Sequence, residues 1–238
     1  LLELNPQTQV GVTFGVAQQA ADYYDNSRAN LPTGSYSGKS STTQLMVGAT
    51  YTIAQEQNTY IDLQGQISSS STQLTDIYDG TAKQTGIGLV LSAEMGKTMP
   101  LGTSGFDITP QAQLVFQTNK QTGFDDAISS VSKQSTDSLR LRAGATLQSS
   151  AAKAPESKTN WNASLNLWQE VIDTPNRVIS GYVVSPEKNQ KPWVELGIGV
   201  NQQLSEASSL SAQISHQNSL SGNQRTANSI NLSYRFKW

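Results

Sequence analysis

Apolar and polar residues alternate in ten separate stretches of the 238-residue chain, and the last stretch runs to the final residue. Successive side chains of an extended strand point to opposite faces. Each stretch therefore predicts a strand with one apolar and one polar face. The apolar series occupy residues 10–16, 45–53, 61–67, 87–95, 108–116, 139–147, 161–167, 194–200, 210–214 and 230–238.

Composition indicates which solvent the apolar face meets. Only 36% of the residues are hydrophobic, fewer than the core of a soluble protein of this size requires. The apolar series consist mostly of medium aliphatic side chains, which suit lipid, and the intervening residues are rich in Gly, Ser and Gln, which suit a hydrated lumen. We therefore predict an all-β fold, an antiparallel up-and-down transmembrane β-barrel of about ten strands, forming one domain over residues 1–238.

Several other classes are excluded or disfavoured. No apolar run approaches the roughly 20 residues of a transmembrane helix, which excludes a helical membrane protein. The net charge is −2, and the Lys and Arg residues are scattered, which argues against a nucleic-acid partner. One His and no Cys leave little but carboxylates as metal ligands, so we expect no metal and no cofactor.

The connections between the predicted strands alternate between long and short. Short turns on one rim and long loops on the other are typical of outer-membrane barrels, with the chain terminus on the periplasmic side. Residues 178–184 are predicted to extend one hairpin beyond the membrane. Pro110 has no N–H group, so its strand needs a bulge or a missing ladder bond. The predicted connections are residues 19–42, 54–58, 68–83, 98–105, 118–137, 149–158, 172–190, 204–208 and 217–228.

Several segments resemble the translocator β-domain of classical (type V) autotransporters of Gram-negative bacteria. They are residues 49–51, 59–63, 105–116, 138–144 and 193–200. The resemblance implies an integral outer-membrane barrel that anchors a passenger polypeptide and helps to export it, without enzymatic activity. The implied partners are the lipid bilayer with its lipopolysaccharide, the barrel-assembly machinery and the chain's own passenger with its linker helix.

In that family the barrel has twelve strands and follows a helix that runs through the lumen. The resemblance therefore implies that this chain supplies the last ten strands, and that the helix and the first strands lie upstream of residue 1. A closed ten-stranded barrel is the alternative.

The terminal strand is similar to the signal that the barrel-assembly machinery reads. It departs from that signal at Ser233, where Gly is usual. The candidate signal residues are Ile230, Asn231, Leu232, Tyr234, Phe236 and Trp238.

Five charged residues share the phase of the polar face, so we expect them to point into the lumen. They either form a wall that holds a helix or a transiting polypeptide, or pair across strands to fill the interior. These residues are Glu94, Arg140, Arg142, Glu170 and Glu195. Lumenal glycines could let a ligand approach, but we expect that they let the closed sheet bend and let an aromatic ring of the next strand lie over the gap. The glycines are Gly11, Gly15, Gly86, Gly88, Gly197 and Gly199.

Two competing functions remain open on the sequence alone. A ten-stranded outer-membrane barrel enzyme, a protease or lipase, would use His216 as a catalytic base. His216 has the phase of the apolar residues in its strand, which favours a residue at the rim of the barrel. A small porin or adhesin barrel would be complete within this chain.

Overall fold

The computed structural model describes residues 2–5, 7–25, 35–76, 80–125, 130–149, 158–172, 177–179, 182–184, 192–221 and 226–236. These residues form strands, one short 3-10 turn and connecting segments. In chain order the strands are β1 (Leu2–Asn5), β2 (Thr8–Asp25), β3 (Ser35–Gln55), β4 (Thr59–Asp76), β5 (Thr81–Lys97), β6 (Met99–Pro100), β7 (Phe106–Gln121), β8 (Phe124–Asp125), β9 (Ser130–Val131), β10 (Gln134–Ser149), β11 (Thr159–Glu170), β12 (Arg177–Ile179), β13 (Tyr182–Val184), β14 (Trp193–Gln203), β15 (Ser208–Ser219) and β16 (Thr226–Phe236).

Ten long strands form one antiparallel sheet that curls into a half-barrel, which confirms the predicted strands and their up-and-down order. The order is β1-β2-β3-β4-β5-β7-β10-β11-β14-β15-β16, and β6 adds to the end of β7. Within the described part of the chain, β16 ends the sheet on one side and β1 ends it on the other. The half-barrel therefore has two open edges.

Most hydrophobic residues of these strands lie on the outside. Phe14 is 80% exposed and Ile230 is 72% exposed, and most of the predicted apolar series follow the same pattern. Among the described residues Trp193 is the one buried hydrophobic side chain. A sheet with its apolar face outward has no interior core that would remove these side chains from water. The fold therefore requires hydrocarbon around it.

The strands at one side of the sheet are longer than we predicted. β2, β3, β4 and β5 contain 17 to 21 residues, although a tilted strand crosses a bilayer in roughly 9–11 residues. The predicted loops 19–42 and 68–83 were therefore too long, because β2 reaches Asp25 and β4 reaches Asp76. The four strands extend beyond the apolar belt at the end opposite the short turns.

Pro110 interrupts the sheet as the sequence predicts. On one side its strand pairs without a break, and Ala145 lies opposite Pro110. On the other side the ladder stops at the Gly96–Gln111 pair and resumes at the Met99–Ile108 pair. The gap falls where proline has no hydrogen to donate.

The predicted turn at residues 54–58 is confirmed as a 3-10 turn at Glu56–Asn58. Gln57 and Asn58 both have positive φ values, 62° and 58°, which close the hairpin tightly. The long connections behave differently, because β8, β9, β12 and β13 pair as a separate four-stranded sheet. Within the predicted segment 178–184, the described residues 178–179 and 182–184 are extended, as predicted, but they join a neighbouring loop instead of lengthening their own hairpin.

No helix long and apolar enough to span a membrane is found in the residues that the structure describes.

Candidate functional site

The inner face of the half-barrel carries an ion pair between two of the predicted residues. Arg142 on β10 donates from Nη2 to Oε2 of Glu94 on β5, at 2.5 Å. Gln113 of β7 lies between them in register. Both side chains are mostly buried, with exposed fractions of 15% and 18%. Alternation places both groups on the inner face, and the sheet order brings them together.

Tyr60 completes this pair, although the sequence analysis did not single it out. Its hydroxyl donates to Oε1 of Glu94 at 2.6 Å and accepts from Nε2 of Gln111 at 2.6 Å. Gln111 in turn accepts from the hydroxyl of Thr146 at 3.2 Å. Because each member is hydrogen-bonded to the next, the network fixes the Glu94 carboxylate in place.

The second predicted pair, Arg140 and Glu170, is looser. The distance from Arg140 Nε to Glu170 Oε2 is 3.6 Å. Glu170 also accepts from the hydroxyl of Ser138 at 3.0 Å, and Arg140 donates to Oε1 of Gln117 at 2.8 Å. The charges of these two residues are therefore satisfied within the wall.

Glu195 differs from the other two carboxylates. It accepts from Nδ2 of Asn166 at 3.0 Å and from Nε2 of Gln217 at 2.6 Å. No cation of the described chain forms an ion pair with it. Its charge is therefore held by neutral amides alone, and it faces a polar trough of about 390 Å³ that Arg142 and Glu94 also line.

Two tryptophans extend the network along the sheet. The Trp168 and Trp193 rings stack with centroids 5.9 Å apart and planes within 2°. The guanidinium of Arg142 lies 5.4 Å from the Trp168 centroid, within cation–π range. Sequence reasoning missed both rings. Trp168 shares the even parity of Glu170 on β11, and Trp193 shares the odd parity of Glu195 on β14, so parity alone places both rings on the inner face.

The glycine prediction was wrong in its detail. A Cβ added to Gly88 or Gly197 would lie within 2.6 Å of the Ser68 or Ser164 hydroxyl. Small polar side chains therefore fill those gaps, where we expected aromatic rings. The aromatic arrangement occurs instead at Gly96, where an added Cβ would lie 2.6 Å from the Tyr60 ring.

His216 is exposed, and its Nδ1 is 2.8 Å from Oδ1 of Asn228. The described residues contain no group of three or more His, Cys, Asp or Glu side chains that could hold a metal. The terminal strand β16 is exposed on both faces as far as Phe236. Trp238, a predicted signal residue, lies outside the described residues.

The Autotransporter beta-domain family matches residues 2–215. This chain belongs to the autotransporter beta-domain family. The autotransporter fold is also seen in two solved structures. The translocator domain of autotransporter NalP from Neisseria meningitidis aligns with a TM-score of 0.76 and 15% identity, over 99% of this chain and 76% of that one. The beta domain of the Bordetella autotransporter BrkA aligns with a TM-score of 0.61 and 17% identity, over 98% of this chain and 95% of that one. No curated protein matches the sequence.

Membership in the autotransporter family identifies the apolar belt as the part that lies in the outer membrane. It also gives the function of the barrel, which is to anchor a passenger and take part in its export. Translocator barrel domains of autotransporters are not enzymes.

Proposed function

We propose that the inner face of this barrel binds the polypeptide segment that leads to its own passenger, as a linker helix in the lumen. The observation that carries the proposal is Glu195, a carboxylate without a cationic partner among the described residues, at the edge of a polar trough. A Lys or Arg of the transiting segment would complete the ion pair. Glu94, Arg140, Arg142 and Glu170 are already paired within the wall, so they shape the trough and position the helix through hydrogen bonds.

We propose further that strands outside residues 1–238 close the barrel. An open sheet edge leaves backbone N–H and C=O groups unpaired, which hydrocarbon does not tolerate. β1 and β16 both end the sheet within the described chain. Two additional strands between them, following the lumenal helix, would give the twelve strands that the resemblance implies. Direct closure of β16 on β2 is the ten-stranded alternative.

The remaining partners follow from the outer surface. The barrel-assembly machinery would read the terminal strand through Ile230, Asn231, Leu232, Tyr234, Phe236 and Trp238. The apolar belt would contact bilayer lipids and lipopolysaccharide. We propose no catalytic role for any residue, including His216, whose observed hydrogen bond is to the Asn228 amide.

Planar-bilayer conductance of the full-length protein tests the proposal. With the linker in place we expect rare openings, and deletion of the linker should give steady conductance. Glu195→Gln should raise the open fraction because the linker loses its ion pair. Glu206→Gln, in the exposed turn between β14 and β15, is the matched control and should leave the open fraction unchanged. Steady conductance of the unaltered protein would contradict the proposal and favour a porin.

A further inference from the structure

The outer surface changes character abruptly at one height on β3, β4 and β5. The last apolar side chains of the belt on these strands are Leu45, Ile67 and Ile87, with exposed fractions of 58%, 60% and 70%. Beyond them, away from the short turns, the outward positions carry hydroxyl, amide and ammonium groups. In outer-membrane barrels the short turns are periplasmic, so this polar zone lies on the extracellular side.

A shallow concavity occupies the polar zone. Its volume is about 380 Å³, and its walls include Ser41, Thr43, Ser71, Gln73, Thr81 and Lys83. On β5 the inward-facing Gln84 and Gly86 are buried, whereas the outward-facing Thr81, Lys83 and Thr85 are exposed. The concavity therefore opens outward, toward whatever surrounds the barrel, and not toward the lumen.

Two lysines lie at and above the upper edge of the belt on neighbouring strands. Lys83 lies four residues beyond Ile87 on β5, whereas Lys120 on β7 lies directly opposite Ile87, at the edge of the belt. Four residues span about 13 Å of strand, which at a tilt of roughly 40° is about 10 Å of height. Lys83 therefore lies at the depth of the headgroups, and Lys120 lies at the boundary between headgroups and hydrocarbon.

Neither lysine is paired with an acidic group among the described residues. Lys83 and Lys120 are both exposed. Lys83 lies opposite Gln73 on β4, and Lys120 lies opposite Ser135 on β10. The surface thus combines two ammonium groups, which can bind phosphate, with neighbouring hydroxyl and amide groups, which can hydrogen-bond to a sugar.

We propose that this concavity, with Lys83 and Lys120, is a binding site for the phosphorylated saccharide headgroup of outer-leaflet lipopolysaccharide. The lysines bind the phosphates, and the Ser, Thr and Gln side chains hydrogen-bond to the sugar hydroxyls. The acyl chains continue down the apolar belt below Ile87. The site rests on the proposed outer-membrane setting and names the lipid that the protruding strands contact.

Native mass spectrometry of the full-length protein in detergent tests the site, with a phosphorylated rough-type lipopolysaccharide as the probe. Near a membrane surface each lysine is worth about fivefold in affinity, so Lys83→Glu with Lys120→Glu should weaken binding at least 25-fold. Lys83→Arg with Lys120→Arg should retain it. Lys97→Glu, at the periplasmic end of the same strand β5, is the matched control and should change the affinity less than about twofold.

Two further lipid probes test whether the site recognises the phosphates and the sugars of lipopolysaccharide. Dephosphorylated lipopolysaccharide should bind the unaltered protein as weakly as the phosphorylated form binds the charge-reversed variant. Phosphatidylglycerol should bind more weakly than lipopolysaccharide, and equal binding would overturn the saccharide part of the site. Unchanged lipopolysaccharide affinity in the charge-reversed variant would overturn the site altogether.

Passenger display on intact cells, measured in the same variants, keeps this inference separate from the proposed function. Normal display together with unchanged lipopolysaccharide affinity would reject the lipid site alone. Failure of the unaltered protein to display a passenger would reject the proposed function.

Discussion

Arg142 on β10 and Glu94 on β5 form an ion pair that bridges the intervening strand β7, with 2.5 Å between Nη2 and Oε2. The same guanidinium lies over the Trp168 ring, and the same carboxylate accepts from Tyr60. This pair therefore joins five strands of the inner wall, from β4 to β11. Its loss should affect the stability of the barrel and not only the polarity of its lumen.

Arg142→Ala should leave Glu94 mostly buried without its cation. Removing one partner of a buried polar contact costs about 1–3 kcal/mol, so we expect a loss of that size in the free energy of unfolding in urea. Adding Glu94→Gln to this variant should recover part of the loss, because the uncompensated charge is removed. Equal stability of Arg142→Ala and the unaltered protein would show that the pair is not structural.

Gly96 should not tolerate a side chain. An added Cβ would lie 2.6 Å from the Tyr60 ring, so the ring must leave its place and its hydrogen bond to Glu94. We expect Gly96→Ala to lower the free energy of unfolding by about 1–3 kcal/mol. Gly65→Ala is the matched control on β4, because its Cβ would meet Leu91 at an ordinary 3.6 Å. Equal free energies of unfolding for Gly96→Ala and Gly65→Ala would show that the position of the Tyr60 ring does not depend on Gly96.

A charge in the middle of the apolar belt should oppose insertion. Leu91 is central in the outward series of β5. Leu91→Arg should make the free energy of folding into phosphatidylcholine vesicles less favourable by about 2–4 kcal/mol. Thr81→Arg, on the outward face of the same strand but beyond the belt, should change it by less than about 1 kcal/mol. Similar losses in the two variants would place the belt elsewhere.

The end of the chain should be required for assembly. Deleting Trp238 removes the final aromatic of the proposed signal, so we expect cells to lose the heat-modifiable folded band on unboiled gels. Trp161→Ala is the control, because Trp161 is also an exposed outward aromatic, at 62%, but lies far from the chain end. Normal folding after the deletion would remove Trp238 from the signal.

The alternation predicted the ten strands because the lipid belt forces apolar residues onto every second position. It could not predict the full length of β2 to β5. Beyond Leu45 or Ile67 both faces of these strands meet water, so Ser and Thr occupy both phases and no period remains. Strand length above the membrane therefore leaves no hydrophobic signal in the sequence.

The inner face was only partly predictable for a related reason. Parity on one strand places Glu94 and Arg142 on the inner face, but it does not give the register between strands. The contact between them depends on the pairing of each with Gln113. Trp168 and Trp193 were missed because only charged residues and glycines were considered for the inner face. Their parity with Glu170 and Glu195 was the available signal.

Adjacent residues of one strand face different solvents, hydrocarbon outside the barrel and water inside it, and the whole fold rests on this alternation. The chain contains no cysteine, so single cysteines can be introduced along β7 at positions 111 to 114 and spin-labelled in the full-length protein in vesicles. Electron paramagnetic resonance should then show labels at 112 and 114 relaxed by oxygen, and labels at 111 and 113 relaxed by a water-soluble nickel complex. Equal access of the nickel complex to all four positions would contradict the account.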